Sequence, residues 1–344
     1  MAETAEVAIV GAGLAGCAAA IELGRKGVQS VLFEKGKPFK DKACGDAFMP
    51  SAITILYELG LDDASFLRIG GSPFQKIDLF DNSKLIWSHQ LRKIPGWTLP
   101  RKYLDQELRE LAKKTSEIYY QSKVIKLASD TNKVWRICYQ ENDCQKEMNA
   151  SAVIIATGAE NNLSRMFHIA GSPLPSASLS AYIHGTHFTS LLFQFTDLCK
   201  NGYAWIFPVN DGLANVGICA FDARVPALKR SAEKYLEKWK LSGTSVTWRG
   251  GKEPLWSANA DHWDDKNGMV SCGDAAGLID PLNGEGITAA LYSGKLAATH
   301  VYSYLIDNLK DGNLTEYSIS LKKFFTQRYG ITIQRNIWKN LCRL

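Results

Sequence analysis

Residues Glu6–Glu34 read EVAIVGAGLAGCAAAIELGRKGVQSVLFE, and this stretch decides the fold. Glu6–Val10 is a short apolar run that ends at a glycine, the pattern of a buried strand. Leu14–Gly24 is rich in alanine and suits a helix, with Gly27 standing where a helix stops. Ser30–Phe33 is a second strand, closed by Glu34. Between the first strand and the helix lies Gly11-Ala12-Gly13-Leu14-Ala15-Gly16. In a β-α-β unit Gly11 permits the tight turn, Gly13 lets the backbone approach a diphosphate, and Gly16 lets helix and strand pack closely. The N–H groups and dipole at the helix start favour the diphosphate's negative charge, and Glu34 is placed to accept from a ribose. By itself the motif does not separate NAD from FAD. A glycine-rich loop on an ordinary α/β turn is the plain alternative.

The 344 residues are 46% hydrophobic and 22% charged, an ordinary globular composition that argues against disorder. The net charge of +5 is spread along the chain with no basic block, so no nucleic-acid partner is expected. Eight cysteines show neither a regular framework nor a C-x-x-C pair and read as reduced thiols. The uncharged run Val7–Ile21 is not a secretion signal, because Glu3 and Glu6 precede it and glycines interrupt it. No stretch has the roughly 20 apolar residues of a transmembrane helix. The expectation is a cytoplasmic protein, with peripheral contact at a membrane left open.

Further along, the spacing of Ile53, Leu56, Tyr57 and Leu59 predicts a helix between Phe48 and Gly60. Alternation predicts strands at Lys76–Phe80 and Leu85–Trp87, and Arg101–Lys114 is an amphipathic helix. Val124–Leu127, Val134–Tyr139 and Ala152–Ala156 read as strands, and His168–Trp256 carries several aromatic-rich strand candidates. Met269–Cys272 is a strand, a helix runs from about Glu285 to Leu305, and the remaining residues are helical. The organisation expected is an α/β fold. A Rossmann-type nucleotide-binding domain (1–68, 98–162 and 257–310) carries an inserted mixed or antiparallel β-sheet substrate domain (69–97 and 163–256), with a helical C-terminus (311–344).

Three later segments favour FAD. Val153-Ile154-Ile155-Ala156-Thr157-Gly158 is a buried strand whose small end lets a dinucleotide pass close by. In Cys272-Gly273-Asp274-Ala275-Ala276 a carboxylate follows a strand directly and is placed for a ribityl hydroxyl, or to cap the next helix. Asp280-Pro281-Leu282-Asn283-Gly284-Glu285-Gly286-Ile287 is a turn that opens a long helix. Backbone N–H groups at such a start stabilise the negative charge of a reduced flavin.

Together with A-C-G-D at Ala43–Asp46, L-P-R-K-Y-L-D at Leu99–Asp105 and G-Y-A-W-I-F-P at Gly202–Pro208, these segments resemble the geranylgeranyl reductase family, within the flavoproteins of p-hydroxybenzoate hydroxylase-like fold. The resemblance runs from residue 6 to about residue 300, with the motifs in family order. It implies that Leu14 and Ala15 lie on the diphosphate, Glu34 on the ribose, and Cys44, Gly45 and Asp46 beside the isoalloxazine and ribityl. Arg101 would meet the phosphates or ribityl, Val124 the adenine through its backbone, and Asp274 the ribityl and diphosphate. Gly286 and Ile287 would face the flavin's pyrimidine edge. Thr157, Gly158, Gly273, Pro281 and Gly284 complete the implied set. A guanidinium at a helix start suits phosphate in its own right, whereas an exposed arginine is the commoner case. The chain departs from the family in a shorter C-terminal part and in the bulkier Ala47-Phe48-Met49 after C-G-D. Both point away from a substrate of geranylgeranyl length.

For the substrate, Phe193 and Phe195 alternate in one strand candidate and Tyr203, Trp205 and Phe207 in another, so each set shares a sheet face. Such a face is either an apolar wall for a small hydrophobic substrate or a core beneath the sheet. His184 and His187 have no third ligand near them in sequence, and no metal is expected. FAD is expected to be noncovalent, with NAD(P)H or a ferredoxin-like redox protein as electron donor. The leading reaction is reduction of a carbon–carbon double bond in an isoprenoid-like or secondary-metabolite substrate, with Cys44 as a candidate proton donor beside the flavin. Oxygen chemistry (hydroxylation, epoxidation or halogenation) and a lipid carrier on the same fold are the alternatives.

Overall fold

The computed structural model describes residues 3–160, 162–167, 176–210, 212–241, 246–257, 260, 263–265, 267–306 and 314–334. The described residues of Met1–Lys40, Asp105–Ser172 and Pro254–Ile337 form one compact unit, and those of Asp41–Leu104 and Pro173–Glu253 form a second. Residues 41–68 and 98–104, grouped by the sequence with the nucleotide-binding part, pack within the second unit.

The first unit is built on parallel strands in the order Met269–Ser271, Cys144–Ile155, Glu3–Val10, Ser30–Glu34, Ser116–Tyr120. In the central strand Val7, Ala8 and Ile9 are fully buried, which is why it reads as a continuous apolar run and not as an alternation. The Leu14–Arg25 helix follows, with Gly27 at φ +78 beyond its end. It packs against the Ile287–Ile306 helix so closely that a Cβ on Gly294 would stand 2.2 Å from the Ala15 carbonyl oxygen. Ser122–Ser129 and Trp135–Glu141 add an antiparallel meander to Cys144–Ile155.

The last of these strands begins at Cys144, well before the expected Ala152. Its Cys144–Glu147 end is polar and exposed, so only the ladder with Trp135–Glu141 extends it. The Ser116–Tyr120 strand was not foreseen; it is held by parallel pairing to Ser30–Glu34. A final described helix spans Thr315–Gln334, and the expected helical residues 335–344 lie outside the described ones.

In the second unit seven strands pair in the order Arg249–Lys252, Ala177–Thr186, Gly212–Ala220, Cys199–Asn210, Leu191–Thr196, Lys76–Asp81, Lys84–Gln90. All neighbours are antiparallel except Leu191–Thr196 with Lys76–Asp81. One face (Leu179, Ala181, Ala204, Ile206, Val216, Ile218) packs on Leu228, Ala232, Tyr235 and Leu236 of a helix at Val225–Lys238. That helix falls within His168–Trp256, where several strand candidates and no helix were expected. Pro226 in its first turn and apolar residues at helical spacing were the signals for it. The opposite face carries Phe195, Tyr203, Trp205 and Phe207. Ala47–Phe48, Gly96–Thr98 and Ser72–Phe74 form a small separate sheet. The Arg101–Ala112 helix follows Gly96–Thr98 in the chain.

Candidate active site

In the first unit the three glycines of the opening turn do different work. Gly11 has φ +111, and a Cβ there would lie 2.3 Å from the Ala156 carbonyl oxygen. A Cβ on Gly16 would lie 1.9 Å from the Gly11 carbonyl oxygen. At Gly13 a Cβ would meet nothing within 4 Å. The protein's own packing demands the first and third glycines; at Gly13 it leaves open space in front of the helix start formed by Leu14, Ala15 and Gly16.

Glu34 folds back on this turn, Oε2 accepting from the Ala12 N–H (3.1 Å) and Oε1 from the Gly36 N–H (2.7 Å). Each carboxylate oxygen keeps a further lone pair for a hydroxyl. Arg109, 4% exposed, donates from Nε to the Ala12 carbonyl (2.9 Å) and from Nη1 to the Pro38 carbonyl. Arg109 is not among the residues that the sequence motifs single out. Arg101, Leu104, Asp105, Leu108, Arg109 and Ala112 are all buried, so the inward stripe of this helix carries three charged residues. A charge on the inner stripe was the available signal.

The other candidates converge on the same unit. Among the described residues Thr157 Oγ1 is buried without a partner, and Gly158, at φ +73, faces open space. Gly273 gives its N–H to Ser293 Oγ (2.9 Å), and a Cβ on it would touch Ala15 Cβ at 3.0 Å, bringing the Cys272–Ala276 turn against the first helix. Asp274 sits in a single 3-10 turn, and a Cβ on Gly286 would lie 3.5 Å from its Oδ1. Around Pro281, Gly284 takes φ +70 and returns its N–H to the Asp280 carbonyl (2.9 Å). Glu285 Oε1 then accepts from the Thr288 N–H (2.6 Å), so the long helix starts at Ile287 and not at Glu285. Burial pushes the Asp280 carboxyl up to about 6. Val124 is buried in the meander, opposite Tyr139. Open space at Gly13 and Gly158, an orphaned hydroxyl at Thr157 and a free helix start fit a bound dinucleotide.

The second unit gathers Cys44, Gly45, Asp46, Arg101 and the aromatic face. Asp46, 1% exposed and held at φ +62, is gripped from three sides. Its Oδ1 accepts from the Arg101 N–H (3.3 Å), and its Oδ2 from Asn215 Nδ2 (2.8 Å) and the Tyr182 hydroxyl. Asn215 also donates to the Cys44 carbonyl (2.8 Å) and accepts from Trp205 Nε1 (3.1 Å). The Asp46 N–H points at Cys44 Sγ (3.3 Å). Gly45 presses on the wall itself: a Cβ there would stand 2.9 Å from Phe207 and 3.4 Å from Trp205 Nε1. Arg249 lies 4.2 Å over the Tyr182 ring and pairs with Asp41.

Burial pushes Asp46 up to about 6 against the pull of Tyr182, Asn215 and Arg101. Burial also pushes the Cys44 thiol up; Arg101 opposes this and Asp46 adds to it. Neither Tyr182 nor Asn215 was singled out from sequence, although an asparagine inside the apolar run LANVGICA was a legible oddity. Arg101 is buried and not a surface residue. Phe195, Tyr203, Trp205 and Phe207 are buried in one cluster with Phe193 partly buried against it, so the wall is closely packed. His184 and His187 are exposed.

Residues 5–190 match the family described as pyridine nucleotide-disulphide oxidoreductase, more than half of the chain. The chain belongs to that family. Menaquinone reductase of Mycolicibacterium smegmatis is 27% identical over 353 residues, covering 97% of this chain and 83% of that protein. Digeranylgeranylglycerophospholipid reductase of Methanococcus aeolicus is 29% identical over 337 residues, 91% of this chain and 80% of that one. Among solved structures, a geranylgeranyl bacteriochlorophyll reductase-like protein from Thermoplasma acidophilum superposes with a TM-score of 0.82 at 24% identity, over 95% of this chain and 84% of that one. This chain is therefore an FAD-dependent oxidoreductase of Rossmann-type, p-hydroxybenzoate hydroxylase-like fold, similar to the geranylgeranyl reductases. No described helix is long and apolar enough to cross a membrane.

Proposed function

We propose that this oxidoreductase reduces carbon–carbon double bonds in the prenyl part of a hydrophobic lipid, with Cys44 supplying the proton. The observation that carries the reading is the contact of Gly45 with Phe207 and Trp205, which lays the thiol-bearing segment on an apolar aromatic face. Menaquinone and digeranylgeranylglycerophospholipid, named for two relatives, both carry prenyl chains.

The cofactor these residues would hold is noncovalent FAD, which, reduced by NAD(P)H or a ferredoxin-like protein, would supply a hydride. Gly11, Gly13, Leu14, Ala15 and Gly16 would hold its diphosphate, with Arg109 fixing the turn. Glu34 serves the ribose and Val124 the adenine. Thr157, Gly158, Gly273 and Asp274 serve the ribityl and diphosphate, and Pro281, Gly284, Gly286 and Ile287 the pyrimidine edge. Cys44, Gly45, Asp46 and Arg101 are the residues read as flanking the isoalloxazine and ribityl. Phe193, Phe195, Tyr203, Trp205 and Phe207 exclude water and orient an apolar chain. Hydride addition to an alkene leaves a carbon that must take a proton. Cys44 holds one at Sγ, and because burial keeps the thiol neutral near pH 7 it is in the donating form.

The test is a single turnover without oxygen. Flavin colour in the reduced protein should return on adding a prenyl alkene, and the lipid should gain two hydrogens. Return of colour only with oxygen, with an oxygen or halogen atom in the product, would establish the oxygenase or halogenase reading. Purification without flavin would favour the lipid carrier.

A further inference from the structure

One row of directly opposed residues crosses the whole seven-stranded sheet of the second unit. Trp87 pairs with Leu79, Leu79 with Phe193, Phe193 with Trp205, Trp205 with Gly217, Gly217 with Ser180, and Ser180 with Arg249. Directly opposed residues share a face, so all seven stand on the aromatic side. The row changes character along its length. It is aromatic and aliphatic from Trp87 to Trp205, whose ring lies over Gly217, and polar at Ser180 and Arg249.

The apolar end is the sheet's edge. Among the described residues Lys84–Gln90 pairs only with Lys76–Asp81, and every residue of it is exposed. Leu85, Ile86 and Trp87 are 48%, 37% and 49% exposed. Consecutive apolar residues on a bare edge strand are a liability unless something covers them. The charges nearby say what does. From Lys84 to Lys93 the chain carries exposed Lys84, Arg92 and Lys93, together with His89, and no acidic residue. On the neighbouring strand Asp81 stands opposite Lys84, while Asp78 is buried and already engaged by Ser88, Ser190 and Lys76. A tryptophan and two aliphatic residues on a strand that begins at exposed Lys84 and is followed by exposed Arg92 and Lys93 suit the headgroup region of an anionic bilayer, where aromatic rings anchor and basic groups meet lipid charge. A second copy of the chain would bring the same cations against themselves.

We propose that the Lys84–Gln90 edge strand is the surface on which this protein meets an anionic lipid bilayer, with Trp87 marking the entry of a lipid's apolar chain onto the aromatic face. The proposal rests on the reading of a lipid substrate.

The test uses the FAD-loaded protein and vesicles of phosphatidylcholine with or without phosphatidylglycerol. Wild type should co-sediment with the anionic vesicles and be released by salt. Leu85→Ser with Ile86→Ser should weaken partitioning about tenfold or more, from the lost transfer of two aliphatic side chains. Arg92→Glu with Lys93→Glu should abolish the preference for anionic lipid, each basic residue being worth about fivefold. Both double variants should still reduce a detergent-dispersed prenyl lipid. Equal vesicle binding by all three proteins overturns the proposal. So does a wild-type dimer that the Leu85/Ile86 variant dissociates while no vesicle binding is seen. Vesicle binding as expected, with no alkene reduction by any of the three, would remove the proposed reaction and leave the surface standing.

Discussion

Replacing Gly13 with valine separates the needs of the cofactor from those of the fold. The backbone there is extended (φ −86, ψ −166), and among the described residues a Cβ meets no atom within 4 Å, so the apoprotein should tolerate the change. Loss of the N-cap glycine costs at most about 1 kcal/mol. The added side chain would instead occupy the space in front of the Leu14 helix start. Displacing a diphosphate from two backbone N–H groups, at about 1.5–3 kcal/mol for each charge-assisted bond, predicts FAD affinity roughly 100- to 10,000-fold weaker. Gly16→Ala is the internal contrast, because its Cβ would stand 1.9 Å from the Gly11 carbonyl oxygen and disrupt the turn itself. The assays are FAD titration by quenching of flavin fluorescence and thermal melting of the apoprotein. Gly13→Val should melt close to wild type yet fail to hold FAD, whereas Gly16→Ala should lose both. A Gly13→Val protein that binds FAD within threefold or so of wild type would refute the diphosphate assignment.

Cys44→Ala and Cys44→Ser should slow anaerobic flavin reoxidation by alkene while FAD content stays normal; unchanged rates in both remove Cys44 from proton transfer. Trp205→Phe keeps most of the ring volume but deletes the indole N–H bonded to Asn215, so it should raise the substrate KM and leave FAD occupancy intact. If FAD and substrate binding fall together, the wall is core alone. Asp46 titrates at about 6 against 3.8 when free, so the folded state binds its proton more tightly than the unfolded chain does. Its contribution is full below about pH 4 and is lost as pH rises through 6, up to about 3 kcal/mol at roughly 1.4 kcal/mol per pH unit. The stability of wild type relative to Asp46→Asn should therefore fall between those pH values; a flat difference would mean that Asp46 titrates normally.

The nucleotide-binding half was legible because its requirements are local. Gly11 takes the positive φ of its own tight turn, Gly16 answers to the Gly11 carbonyl of the same strand–turn–helix, Glu34 ends the next strand, and the Gly284–Glu285 turn caps its own helix, so residue type and spacing carried the reading. The unforeseen elements lacked a local signature: Cys144–Glu147 is polar and exposed, and Ser116–Tyr120 is held by its neighbour strand. The substrate side depended on pairing between distant strands. Asp46, Tyr182, Asn215 and Trp205 come from four separate segments, and the row from Trp87 to Arg249 exists only through six strand registers. A one-residue slip in any of them would turn that strand's side chains to the opposite face. Sequence alone determined that this chain binds a dinucleotide and where its turns must bend. Only the tertiary structure decided which buried groups grip Cys44 and which edge of the sheet is left bare, because burial and register arise from packing between segments far apart in the chain.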